Sequence, residues 1–86
     1  MPYINKESRD SLEHVVKAMH ISGISNAGEL NYLLTQLVHT FLSQHPKGYQ
    51  NFNDAVGALE GAKLELYRQH ISNYENEKIK LNGDVP

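Results

Sequence analysis

The sequence predicts an all-α fold of three main helices and a short C-terminal helix, a helical bundle completed by oligomerisation. Two observations carry that expectation. Apolar residues recur at i, i+3, i+4 and i+7 in successive stretches, the period of a helix face. Between the stretches stand residues suited to helix caps and turns, Gly23, Ser25, Asn26, and then His45-Pro46-Lys47-Gly48.

After an extended start over residues 1–6, Lys6-Glu7-Ser8-Arg9-Asp10 supplies cap chemistry and acidic groups for the positive end of a helix dipole. Leu12, Val15, Val16 and Met19 then form one narrow stripe, and Gly23 closes the segment. Ser25 or Asn26 caps a second helix that has Glu29 in its first turn. In it Leu30, Leu33, Leu34, Leu37, Val38, Phe41 and Leu42 fan across roughly half the circumference, wider than a surface helix needs. A face that broad gives self-association its motive.

Asn51 or Asn53 is the expected cap of the third helix, whose stripe is Phe52, Ala55, Val56, Leu59, Ala62 and Leu66. Gly57 and Gly61 lie one turn apart, which either permits close approach of another helix or is a tolerated weakness of about 1 kcal/mol per glycine. Either the pattern runs unbroken through Tyr74, or Ser72-Asn73 breaks it and caps a short helix over 74–81. Asn82-Gly83 ends the helix, and residues 83–86 form a frayed tail. The whole of 1–86 reads as a single helical domain.

The chain has 86 residues and no cysteine, which excludes disulfides, zinc fingers and thiol catalysis within it. Its formal charge of −2 is not the basic balance that grips phosphate backbones. The Leu30–Leu42 run is too short and too polar to span a bilayer. Without a signal-peptide pattern, a cytoplasmic location with no membrane partner is expected. Five histidines include no i,i+3 or i,i+4 pair and no E-x-x-H element, so neither metal nor cofactor is expected. Glu60–Lys63, Glu65–Arg68, Glu75–Lys78 and Glu77–Lys80 read as i,i+3 ion pairs on a wet face. No nucleophile elbow or phosphate loop appears, so the expectation is a protein that binds rather than catalyses.

Two sets of polar residues are candidates for binding. Tyr32 and His39 stand one above the other on α-helical spacing, away from the leucines of the second helix. Val56, Glu60, Lys63, Tyr67, His70 and Tyr74 would stack along one edge of the third helix if it continued.

The runs Gly28-Glu29-Leu30-Asn31-Tyr32-Leu33, Ala58-Leu59-Glu60, Lys63-Leu64-Glu65-Leu66-Tyr67-Arg68, Tyr74-Glu75, Lys78 and Asn82-Gly83-Asp84-Val85 resemble a small family of bacterial and phage-encoded proteins of unknown function. The resemblance covers nearly the whole chain and starts at Met1-Pro2-Tyr3-Ile4. It implies a short accessory protein of phages or prophages and carries no mechanism. Two functions compete. A homo-oligomer docking on a protein partner would use Tyr32 and His39 as anchors. A binder of a small nucleotide signal at a subunit interface would use Asn31, Lys63, Tyr67 and Arg68 for amide, cationic and stacking contacts. Association with nucleic acid is a third and weaker alternative.

Overall fold

The computed structural model describes residues 3–85, and every regular element among them is helical. The elements are α1 (Lys6–Ser22), α2 (Ala27–Ser43), α3 (Tyr49–Leu66), a π turn (Tyr67–Ile71) and α4 (Ser72–Asn82). They fall into two units, Tyr3–Ala55 and the helix from Val56 onward, with the boundary inside α3. The Met1-Pro2 part of the expected extended start, and Pro86 of the expected tail, lie outside the described residues.

In the 3–55 unit the helix ends obey local hydrogen-bond chemistry. Asn5, in extended backbone, accepts from the Ser8 N–H at 2.8 Å, so the cap falls one residue before the polar run that suggested it. Gly23 closes α1 at φ 75°, a region open to glycine at little cost, while its N–H bonds the Met19 carbonyl. Asn26 caps α2 by accepting from the Glu29 N–H at 2.9 Å, and Glu29 Oε1 accepts from the Ser25 N–H at 2.8 Å. This reciprocal pair satisfies two backbone donors at once.

Side-chain burial in this unit is sparse. Ala55 is the one buried residue among those described, and it keeps 8 % of its surface exposed. Val15 and Met19 of α1, and Leu33, Val38, Phe41 and Leu42 of α2, are half-buried. Val15, Ala18 and Met19 line an apolar groove together with Leu33 and Leu37. The broad α2 stripe is therefore only partly covered: Leu30, Leu34 and Leu37 stay 47, 37 and 50 % exposed. Polar residues within α2 are satisfied locally, Thr35 and Thr40 hydroxyls donating to the carbonyls four residues back.

Neither Asn51 nor Asn53 caps α3. The helix starts at Tyr49, because the Gly48 carbonyl already accepts the Phe52 N–H at 3.3 Å. The Asn51 amide, now inside the first turns, donates to the Pro46 carbonyl and pins the α2–α3 connection instead. The Phe41 and His45 rings, with centroids 4.4 Å apart, pack where α2 ends.

The short fourth helix is not a separate element. The backbone is helical from 49 to 82 without interruption, and Ile71 and Ser72 both have right-handed helical angles. A new helix start needs a non-helical cap residue. Ile71, which precedes α4, makes no side-chain cap bond, and Asn73 donates back to the Gln69 carbonyl at 2.9 Å. What the sequence marks as a break is a π turn, in which the Ser72 N–H reaches the Tyr67 carbonyl five residues back. Gly83, at φ 81°, ends the helix with its N–H on the Ile79 carbonyl.

The π turn holds one residue more than an α turn, so it rotates the downstream helix back by roughly 100°. Tyr74 consequently leaves the Lys63–Tyr67 edge on which an uninterrupted helix would place it, and moves toward the line of Leu66. Ile71, half-buried, takes the place on that line that His70 would otherwise occupy.

Gly57 gives no sign of close helix approach, for a methyl group built on it meets nothing within 4 Å. Its replacement by alanine is expected to stabilise the chain by about 0.5–1 kcal/mol through helix propensity alone. Urea denaturation monitored by circular dichroism checks this, and a loss of stability would reveal a neighbour seated on Gly57.

Candidate functional site

The six candidate residues separate into one set per unit, and each set is local to its own helix. In the 3–55 unit, Asn31, Tyr32 and His39 lie on α2 and are all exposed. Asn31 is occupied within the helix: its Oδ1 accepts from the Thr35 hydroxyl at 3.3 Å, and its carbonyl accepts from the same hydroxyl at 2.9 Å. Tyr32 is 63 % exposed and borders a shallow depression with Gly23, Asn26, Gly28 and Glu29 at the α1–α2 turn. The turn exists because Gly23 takes positive φ and Asn26 caps α2, so the cap chemistry also shapes this depression. Seven residues on, His39 shares the Tyr32 side of α2 at about 100° per residue.

In the unit beginning at Val56, Lys63 and Tyr67 are one turn apart on α3 and the π turn. Lys63 Nζ lies 3.7 Å from Glu60 Oε1, with both side chains more than half exposed. A pair so wet contributes a few tenths of a kcal/mol. Arg68 Nε donates to Glu65 Oε1 at 2.5 Å, and Gln69 Nε2 donates to the same oxygen at 3.3 Å. Glu65 is the better-covered partner, its side chain 17 % exposed. These bonds draw Arg68 along its own helix, about 100° round from Tyr67.

Two of the four anticipated ion pairs thus form. Lys78 instead stands over the Tyr74 ring, its Nζ 5.4 Å from the centroid, a cation–π contact that lets the lysine stem lie along the helix. Among the described residues no three His, Asp or Glu side chains are grouped to hold a metal ion. No described helix is long and apolar enough to cross a membrane.

Helical periodicity read from the sequence misses the apolar line beyond Leu66. Ile71, Tyr74, Lys78 and Leu81 repeat the three-and-four spacing of Leu59, Ala62 and Leu66 after a single step of five. That step is the signal a helix-only period overlooks, and the π turn is its structural counterpart.

These features define a small all-helical protein that presents apolar and aromatic side chains along helix faces, flanked by locally paired charges. The chain belongs to the family described as Domain of unknown function (DUF6899), whose model matches residues 1–85. No curated protein and no solved structure matches it.

Proposed function

We propose that this protein is a non-enzymatic binding protein, a phage or prophage accessory factor that works as a homo-oligomer and docks on a protein partner. The observation that carries the reading is the incomplete burial of the apolar helix faces: Leu30, Leu34 and Leu37 of α2 and Leu59 and Leu66 of α3 remain 37–50 % exposed, and Ala55 is the one buried residue among those described. At about 25 cal/mol per Å² of apolar surface removed from water, a chain of this size gains substantially by closing such a face against another surface. Tyr32 and His39, exposed on the same helix, are the aromatic anchors for the partner.

Affinity capture from host lysate tests the reading when wild type is compared with the Tyr32→Ala/His39→Ala double variant. The variant is expected to keep its thermal stability and its oligomeric state, and to lose at least tenfold in recovery of a stoichiometric protein partner. Equal recovery by both chains would remove these residues from the contact. A parallel thermal-shift screen with linear and cyclic nucleotides addresses the other reading. Tight binding raises stability by about 2.7 kcal/mol at a hundredfold excess of ligand over Kd. A nucleotide that does so would replace the protein partner with a small ligand, and Lys63→Ala and Arg68→Ala would then abolish the shift.

A further inference from the structure

We propose that the helix face running from Leu59 to Leu81 pairs with the same face of a second copy of this chain, antiparallel about a two-fold axis. The inference rests on the homo-oligomer of the proposed function and names the surface that forms it, leaving Tyr32 and His39 on α2 for the partner.

The first argument is phase. Leu59, Ala62 and Leu66 are spaced three and four apart, and Ile71, Tyr74, Lys78 and Leu81 are spaced three, four and three. In an uninterrupted α-helix the step of five between Leu66 and Ile71 would throw the second group off the line by roughly 100°. The π turn over Tyr67–Ile71 absorbs the extra residue. All seven side chains then fall within about 40° of one line, a seam of the kind that pairs helices. The seam is open: Leu59, Leu66, Tyr74 and Leu81 are 42, 49, 60 and 77 % exposed. Among the described residues, the unit from Val56 onward has no second helix alongside them.

The second argument is symmetry, which selects both the occupant and its direction. An interface on a two-fold axis must be complementary to itself. From its front the seam reads three then four (Leu59, Ala62, Leu66), and from its back it also reads three then four (Leu81, Lys78, Tyr74), with Ile71 between. A reversed second copy therefore sets Leu59 opposite Leu81, Leu66 opposite Tyr74, and the small Ala62 opposite the long Lys78. A parallel copy in register would instead face Lys78 with Lys78, two ammonium groups within the seam, which opposes that arrangement. The flanks agree. Lys63 and Glu75 lie on the same side of the seam, so reversal brings each Lys63 beside Glu75 of the second copy and sets opposite charges together twice.

The cysteine-free sequence makes the test direct. Leu59→Cys and Leu81→Cys chains are purified separately, checked for wild-type helicity, and oxidised alone and as a mixture. The expected result is a covalent dimer in the mixture at least tenfold more abundant than in either chain alone. Leu64→Cys, on the opposite side of the helix, is expected to give none. Ala62→Cys mixed with Lys78→Cys repeats the test one turn inward, should either first variant lose helicity. Self-crosslinking of Leu59→Cys would show parallel pairing and overturn the proposal, as would a wild-type chain that light scattering finds monomeric at micromolar concentration. A dimer by light scattering with no crosslink from either pair also overturns this surface, yet leaves the proposed function standing. Partner capture that survives Tyr32→Ala/His39→Ala while the crosslinks form would do the reverse.

Discussion

A chain lacking Gln69 is expected to stay as helical and as self-associated as wild type, whereas a chain with one alanine inserted after Gln69 is expected to dissociate at least a hundredfold more readily. Ordinary helices do not show this asymmetry, since adding or removing one residue turns everything downstream by about 100° in either case. Here the wild-type turn at Tyr67–Ile71 already holds one residue too many. Deletion converts it to a plain α turn: the Ser72 N–H to Tyr67 carbonyl bond becomes an ordinary four-residue bond, and Leu66 and Ile71 keep their common line. The chain loses the long Gln69–Glu65 contact, the Asn73 amide passes from the Gln69 carbonyl to that of Arg68, now four residues back, and the Glu65–Arg68 pair is upstream of the change. Insertion adds a second surplus residue that one turn has no room for, so Ile71, Tyr74, Lys78 and Leu81 swing off the seam. Light scattering over a dilution series, with circular dichroism to confirm helicity, reads both outcomes. Dissociation of the deletion variant to the same extent as the insertion variant would mean that phase across the π turn is not what pairs the chains.

The parts of the fold that were legible in the sequence are those set by short-range chemistry. Gly23 and Gly83 could be read as helix ends because both adopt positive φ there, and Asn26 as a cap because its carboxamide sits three residues before an unpaired helical N–H. Sequence pattern and structure part where two groups compete for one role. Asn51 has the chemistry of a cap, but the Gly48 carbonyl starts the helix earlier and the amide is drawn to Pro46. Ser72 and Asn73 also look like caps, yet a π turn lets the backbone pass them by satisfying its bonds five residues apart, an option that a 3.6-residue period does not contain. The candidate site was legible as residue types rather than as an assembly. Tyr32 and His39 are exposed, but so are Leu30, Leu34 and Leu37 of the same helix, while Asn31 and Arg68 are engaged within their own helices. Such i,i+3 and i,i+4 bonds are equally available to any polar residue on a helix, so a polar motif does not by its composition distinguish a ligand contact from a local bond.

Ala55→Asp is expected to unfold the 3–55 unit, or to cost it several kcal/mol, while Ala58→Asp one turn later is expected to cost well under 1 kcal/mol. Both substitutions carry the same small loss of helix propensity, so the difference isolates burial. Ala55 is 8 % exposed, the deepest position described, and lies within the unit that also contains the half-buried Phe41 and Leu42. A carboxylate there would lose its hydration, and a small domain holds only about 5–15 kcal/mol in total. Ala58 is exposed and keeps its side chain in water. The pH dependence has a definite sign. Burial raises the folded-state pKa of the new carboxyl above its unfolded value near ~4, so the penalty applies in full above the raised pKa and shrinks as pH falls toward the unfolded one. Urea denaturation at pH 7 and pH 4 should show Ala55→Asp recovering part of its deficit relative to wild type in acid, and Ala58→Asp changing little. Tyr32 and His39 are carried by α2 in the same unit, so Ala55→Asp should also abolish partner capture at pH 7 in proportion to the fraction unfolded. Capture that persisted in an unfolded 3–55 unit would mean that the partner reads a linear segment rather than the face of a helix.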